Sequence, residues 1–453
     1  MKPVVKFLRS NGIVCVIYLD DILIISKTFE TACKDCQATK DLLESLGFLL
    51  NSKKSNLVPS QTCKFLGFAY NSISFKVLLP IEKATLIQAQ ILKLLTKDKC
   101  SILTLAQLIG KFVAACPAVK YGWVHLKILE RKKYLALRSN RHNYQSTLLL
   151  SDCIKSELQW WHQTLTHNYG THIVTNTVFA LEIFTDASLT GWGAHCLSKV
   201  THGFWHTCDR VKHINYLELL AAFNALRSFA SDLSNCSILL RVDNVTAIAC
   251  INRMGSVRFK NLNYITRQIW LWCETRNIFL VASYVNTKDN VHADKESRST
   301  SINTEYELSN HAFQKICQYF GKPTIDLFAS QLNAKCTRYI SWKPDPSSIT
   351  VDAFTVSWEG QFFYAFSPFS LVLKCLQKII AEGAQGIVVV PRWNTQPWYS
   401  TFRKLLVTKP LVFTPDQSLL SSPFRDCHPL WQTLSLEVGI LFGRLFTDEV
   451  SQQ

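Results

Sequence analysis

Residues 14–25 read Val14-Cys15-Val16-Ile17-Tyr18-Leu19-Asp20-Asp21-Ile22-Leu23-Ile24-Ile25. Apolar runs on both sides of a short polar interruption predict two strands of a hairpin, with the carboxylates at its turn. A bare Asp-Asp most often marks only an acidic turn. Two adjacent acids held between apolar strands also suit metal binding. Hard divalent cations such as Mg²⁺ take oxygen ligands, and phosphoryl-transfer sites use clustered carboxylates to hold a pair of ions about 4 Å apart. Asp20 and Asp21 are therefore candidate catalytic and metal-binding residues.

The hairpin Tyr18-x-Asp20-Asp21 resembles the palm motif of reverse transcriptases, and the following residues keep that family's order. Residues 42–67 read as a helix ending at Gly47, a strand, a basic stretch at Lys53 and Lys54, and then Phe65-Leu66-Gly67, which is similar to the hairpin that grips the primer end. The resemblance implies another carboxylate on an upstream strand. No acid lies among residues 1–19. The expectation is a chain that starts inside the palm, so that residues 1–80 form a partial palm and the RNA-directed DNA polymerase motif is present but incomplete.

At 453 residues the chain has room for several domains, and an apolar fraction of 48% makes it globular. Its formal charge of +16 is uneven: residues 1–170 hold 23 Lys/Arg against 11 Asp/Glu, residues 171–300 hold 13 against 10, and residues 301–453 hold 13 against 12. A basic first third is the electrostatic footprint of a surface that tracks phosphates, although a solvated basic face gives the same count. The 16 Cys are scattered and read as reduced thiols. Cys33 and Cys36 form a C-x-x-C with no second pair, which fits buried thiols on one helix face better than zinc. No apolar run approaches a membrane span, so the expected setting is intracellular, cytoplasmic or nuclear.

Residues 81–165 read as helical, within a segment 81–170, with Leu86, Ile91, Leu94 and Leu95 at helical spacing and Cys116-Pro117 closing a second apolar run. Between 119 and 142, Lys120, Lys127, Arg131, Lys132, Lys133, Arg138 and Arg141 alternate with Tyr121, Trp123 and Tyr134. That mixture fits a helix along a duplex backbone or a half-buried amphipathic helix. It resembles the thumb and connection of a retroelement polymerase. Asn168 to Asn176 reads as a tether.

From Val178 the pattern becomes strand 181–186, hairpin strands at 191–196 and 203–206, helix Tyr216 to Leu233, strand 238–243, helices 245–252 and 261–276, strand 278–285 and helix 291–297. Acids fall at Asp186, Glu218, Asp243 and Asp294. Taken singly, each fits an N-cap, a turn acid or a solvated helix position. Taken together, they end apolar strands or sit among apolar helix positions, where burial is costly unless the group is paired or coordinated.

Four pieces carry these acids: Phe184-Thr185-Asp186-Ala187-Ser188 with Gly191-Trp192-Gly193, Leu217-Glu218-Leu219-Leu220-Ala221, Val242-Asp243-Asn244, and Asn290-x-x-Ala293-Asp294-x-x-Ser297-Arg298. In that order they resemble the ribonuclease H fold over residues 178–300, and the last piece, together with Asp186-Ala187-Ser188 and Leu217-Glu218-Leu219-Leu220, is most similar to gypsy-like and DIRS-like retroelements. The resemblance implies that Asp186, Glu218, Asp243 and Asp294 are catalytic and hold two Mg²⁺ (or Mn²⁺) ions to cut RNA in RNA–DNA hybrids. His292 directly precedes Ala293-Asp294 and receives no role.

Residues 303–453 contain Phe320-Gly321-Lys322-Pro323-Thr324-Ile325-Asp326-Leu327-Phe328-Ala329-Ser330 and Gly386-Ile387-Val388-Val389-Val390-Pro391. These resemble a phage-type N6-adenine methyltransferase, a module that follows ribonuclease H in DIRS-like elements. Where that family places Asn or Asp before Pro-Pro, this chain reads Phe366-Ser367-Pro368-Phe369. The expectation is a Rossmann-like domain without activity, with Asp326 capping a turn.

The expected fold class is thus α/β and α+β multidomain: a partial polymerase palm with helical thumb and connection, a ribonuclease H-like fold and a Rossmann-like methyltransferase-type domain. As a whole the chain resembles the C-terminal part of a DIRS-like retrotransposon polyprotein. Its expected partners are RNA–DNA hybrid and duplex nucleic acid, with other retrotransposon proteins, and no membrane. Two readings stay open beside the enzyme: a nucleic-acid-binding remnant with decayed sites, and a subunit completed by another chain.

Overall fold

Val14–Tyr18 (β1) and Asp21–Ile25 (β2) pair antiparallel with Tyr18 opposite Asp21, so Leu19 and Asp20 make the turn and both acids are exposed. Leu19 takes a φ of 53° there, a left-handed conformation that costs an L-residue about 1 kcal/mol. Helix α1 (Lys2–Ser10) packs Leu8 against Ile13 and Cys15 beneath this hairpin. In this computed structural model the described residues are 1–51, 53–167, 169–172, 178–298, 306–422 and 427–444. They divide into two compact units, residues 1–177 with 254–260, and residues 178–253 with 261–453.

In the first unit, α2 (Phe29–Ser45) is capped by Thr28, whose hydroxyl accepts from the Thr31 amide, and ends before Gly47 at φ +82°. The strand expected after Gly47 is absent: residues 48–51 lie in no strand, and Leu49 is 99% exposed. A strand needs a hydrogen-bonded neighbour, and among the described residues β1 and β2 form a sheet of only two strands. Thr62–Phe65 (β3) and Phe68–Asn71 (β4) form the hairpin that turns at Leu66-Gly67, followed by Lys76–Leu78 (β5).

The helical stretch forms α3 (Ile81–Leu95), α4 (Ile102–Ala115), α5 (Gly122–Ser139) and α6 (Asp152–His167). Two short strands missed by the sequence reading, Lys99–Ser101 and Thr147–Leu149, pair antiparallel between them. Three-residue strands carry no usable periodicity. Ile91, Leu105, Phe112, Leu126, Leu129, Leu158 and Trp161 share one core, with the Phe112 and Trp161 rings stacked at 4.3 Å. The basic helix α5 buries Val124, Leu126 and Leu129 and lays Lys127 over the Trp123 ring, so one side of it is spent on packing. Of the expected tether, Thr171–His172 instead pairs with Lys76 and Val77, while Asn168 and residues 173–176 lie outside the described residues.

The second unit opens with Leu181–Ala187 (β6), Gly191–Cys196 (β7) and Lys199–Phe204 (β8), a meander of antiparallel strands. After α7 (Ile214–Phe229), Ser237–Val242 (β9) joins parallel to β6. Phe279–Tyr284 (β10) then joins parallel to β9, giving the order β8-β7-β6-β9-β10. Helices α8 (Val245–Asn252) and α9 (Lys260–Glu274) connect the last two strands, and α10 (Val291–Ser297) follows them. Helix α7 ends at Phe229 rather than at the expected Leu233, because Ala230 already leaves helical geometry as its C-cap.

Helix α10 lies on β7 at Gly193. A Cβ at that position would meet the Ala293 carbonyl oxygen and the Ser297 nitrogen at 2.3 Å, so only glycine permits this approach.

The rest of this unit forms a separate five-stranded sheet. Ile325–Asp326 (β11), Phe363–Ala365 (β12) and Gln385–Pro391 (β13) run parallel, while Leu436–Phe442 (β15) pairs antiparallel with both β13 and Leu411–Phe413 (β14). Helix α11 (Asn310–Phe320) precedes β11, α12 (Val372–Glu382) connects β12 to β13, and α13 (Pro397–Lys404) follows β13. Alternate residues serve two cores: Phe363, Val388 and Val390 pack on one face, and Tyr364, Ile387 and Val389 on the other. Covering both faces explains the unbroken apolar run at 387–390. The expected boundary between 300 and 303 lies outside the described residues. No described helix is long and apolar enough to cross a membrane, and all 16 thiols are free.

Candidate active site

Asp186 is in β6, 5% exposed, at the register position opposite Gly193. Glu218 is on the buried side of α7, 4% exposed among Leu217, Leu219 and Ala221. Asp243 follows the last residue of β9, where Asn244 caps α8 by accepting from the Ala247 amide. Parallel pairing of β9 with β6 sets Asp243 beside Asp186, and α7 brings Glu218 over both. Each of the three acids offers a carboxylate oxygen within 4.8 Å of the others.

Like charges this close in a buried place resist ionisation. Burial, then Asp186 and Asp243, push Glu218 up to about 9. Burial also raises Asp186 to about 6, with Asp243 and Asp294 adding to it and the Ser297 hydrogen bond opposing it. One Glu218 oxygen, Oε2, is buried with no hydrogen-bond partner. A hard divalent cation would satisfy that oxygen and neutralise the repulsion among three oxygen donors, so these residues fit Mg²⁺ or Mn²⁺.

The surrounding side chains orient the acids. The Ser297 hydroxyl donates to Asp186 at 2.6 Å, and Thr287 donates to Asp243 at 3.0 Å. The Ser188 hydroxyl donates to the Ser297 carbonyl at 2.7 Å, and the buried Asn290 amide donates to the Thr185 carbonyl at 3.1 Å. Asp294 is outside the three-acid group; its carboxylate takes a 2.6 Å hydrogen bond from Arg298, one turn further along. It is near enough to raise Asp186. His292 is exposed, with its ring 5.0 Å from that of His195.

Sequence reading missed Thr287, which carries no spacing signal. Ser297 and Asn290 stand in the sequence pattern around Asp294, but the pattern gives neither a role. The three-residue step from Asp294 to Ser297, one helical turn, was the available signal for Ser297.

Asp20 and Asp21 stand at the exposed β1–β2 turn, and among the described residues no third His, Cys, Asp or Glu gathers with them. In the last sheet, the fully buried Asp326 accepts from the Phe328 and Lys335 amides at 3.2 and 3.0 Å, and burial raises it to about 6. It caps its turn. Phe366 follows β12 and packs its ring against Phe369.

The family model described as Reverse transcriptase (RNA-dependent DNA polymerase) matches residues 1–70. A comparison with curated proteins finds no match. Among solved structures, the foamy viral protease-reverse transcriptase in complex with RNA/DNA hybrid is 16% identical at a TM-score of 0.34, with 62% of this chain and 37% of that one covered. The dRH form of that protein in complex with double-stranded DNA is 15% identical at 0.33, covering 62% of this chain and 47% of that one. This chain therefore spans about half or less of those two proteins. RNase H1 from the halophilic archaeon Halobacterium salinarum NRC-1 is 16% identical at 0.23, covering 26% of this chain and 92% of that one. The chain is a mixed α/β multidomain protein with a reverse-transcriptase match at its start and a buried acidic triad in its second unit.

Proposed function

We propose that residues 178–300 hydrolyse the RNA strand of RNA–DNA hybrids, using Asp186, Glu218, Asp243 and Asp294 to hold two Mg²⁺ or Mn²⁺ ions. The carrying observation is the Asp186–Glu218–Asp243 cluster with its unpartnered Glu218 oxygen. Bound ions supply Lewis acidity, which makes water nucleophilic near neutral pH and offsets charge on the leaving 3′ oxygen. The chain's own part is positional: Ser297 fixes the Asp186 rotamer, Thr287 fixes Asp243, and α7 presents Glu218 without a competing donor.

In the same reading, residues 1–80 serve as a partial palm, 81–170 as thumb and connection, and 303–453 as an inactive methyltransferase-like domain. The whole reads as part of a DIRS-like retrotransposon polyprotein. The test is cleavage of a labelled RNA–DNA hybrid by the full chain with Mg²⁺ or Mn²⁺. Asp243→Asn removes a ligand and is expected to lower the rate by at least about a hundredfold. Equal rates for variant and wild type would remove the assignment.

A further inference from the structure

The edge strand β8 is held from two sides. Successive residues of a strand point to opposite faces, and Thr201 and His202 use this. The Thr201 hydroxyl donates to the Pro344 carbonyl, in the loop that follows β11. On the other face, His202 Nδ1 donates to the Glu296 carboxylate on α10. His202 is 8% exposed and Thr201 fully buried.

The same loop reaches α7, the helix of Glu218, where the Arg227 guanidinium donates to the Ser347 hydroxyl. It is itself fixed, since the Tyr339 hydroxyl donates to Asp345 at 2.6 Å and Asp345 accepts from the Gln331 amide at 3.1 Å. Glu296 adjoins Ser297, the residue that orients Asp186. A continuous set of contacts therefore runs from Pro344 through Thr201, His202 and Glu296 to the acidic cluster.

We propose that loop 343–347 braces the metal site through β8, and that Thr201 and His202 are positioning residues that seat α10, and with it Ser297 and Asp294, for cation binding. This rests on the metal-site reading of the acidic cluster. It gives residues 303–453 a task that needs no methyl transfer: without the brace, α10 keeps its seat on Gly193 but loses its second anchor, so the carboxylates are less well arranged before the ion arrives. Residues that orient ligands through hydrogen bonds commonly change metal affinity by about tenfold or more, and a contact one step further out is expected to give about three- to tenfold.

The experiment is Mn²⁺ titration of the full chain by calorimetry, with thermal melting of each metal-free variant. Thr201→Val, which keeps shape and removes only the hydroxyl, and His202→Ala should each weaken Mn²⁺ binding by about three- to tenfold. His202→Gln, whose amide can still donate to Glu296, should bind within about twofold of wild type. Wild-type affinity in both Thr201→Val and His202→Ala overturns the proposal, as does His202→Gln binding as weakly as His202→Ala. The underlying site reading fails separately, and the brace with it, if the wild type does not bind Mn²⁺ or if Asp243→Asn binds it unchanged.

Discussion

Glu218 is held where an ionised carboxylate is least favoured, on an apolar helix face against two other acids. Both Glu218, at about 9, and Asp186, at about 6, have folded values above those of an unfolded chain, about 4. Their contribution to metal-free stability is therefore complete below pH 4 and is lost as pH rises through about 6 and then about 9. Glu218→Gln removes the larger of these costs. Its metal-free melting temperature at pH 8 should exceed that of the wild type by several degrees, the gap should shrink toward pH 4, and the Mg²⁺-induced rise expected of the wild type should largely disappear. A variant no more stable than wild type at pH 8 would contradict the repulsion argument.

Phe366 carries a second residue-scale expectation. The proposed inactive methyltransferase-like reading rests on Phe366 standing where Asn or Asp was expected, since a phenyl ring packed on Phe369 accepts no hydrogen bond from an adenine amine. No transfer of labelled methyl from S-adenosylmethionine to adenine in DNA is expected, and transfer above a protein-free blank would refute the inactive reading.

At the scale of elements, the decisive contact is α10 against β7. Gly193→Ala puts a methyl group 2.3 Å from the backbone of Ala293 and Ser297, and neither atom is the flexible end of a side chain. The helix must move, with an expected loss of about 1–3 kcal/mol and a fall in hybrid cleavage larger than stability alone explains, because Ser297 moves away from Asp186. Gly110→Ala is the control: nothing lies within 4 Å of its Cβ in α4, so helix propensity should leave stability unchanged or raise it by up to about 1 kcal/mol. Denaturant melts of both variants decide the matter, and equal stabilities would show that α10 has more freedom than its packing implies.

The course from β6 to α10 was legible in sequence because its strands alternate or run apolar and Asp186 and Asp243 fall at strand ends, although β8 runs Lys199–Phe204 rather than over the expected 203–206. The β1–β2 hairpin was legible for the same reason. Residues 48–51 misled because an apolar stretch reads as a strand whether or not a partner exists. The brace through His202 and Glu296 was invisible because it joins residues 94 apart that no local pattern connects. Of the four acids the sequence gathered, the fold brings three together, and Asp294 turns to Arg298, a choice set by one helical turn.

For the whole molecule, the charge distribution and the placement of the acids make different demands. Residues 1–170 hold 23 Lys/Arg against 11 Asp/Glu, and residues 301–453 are nearly balanced at 13 against 12. Under the proposed hybrid binding, phosphate contacts of the basic part release counterions, so affinity for an RNA–DNA hybrid should fall about tenfold or more between 50 and 200 mM salt. Polymerisation needs more than binding. Two-metal transfer of a nucleotide uses carboxylates that hold both ions, and Asp20 and Asp21 at their exposed turn gather no third acid among the described residues. The full chain should therefore bind a primed template in a salt-sensitive manner, fail to extend it with all four nucleotides and Mg²⁺, and still cut the RNA of a hybrid. Because binding, extension and cleavage are read on one preparation, a protein that has simply misfolded fails all three, whereas template-directed extension by this chain alone would show that Asp20 and Asp21 find their remaining ligands elsewhere.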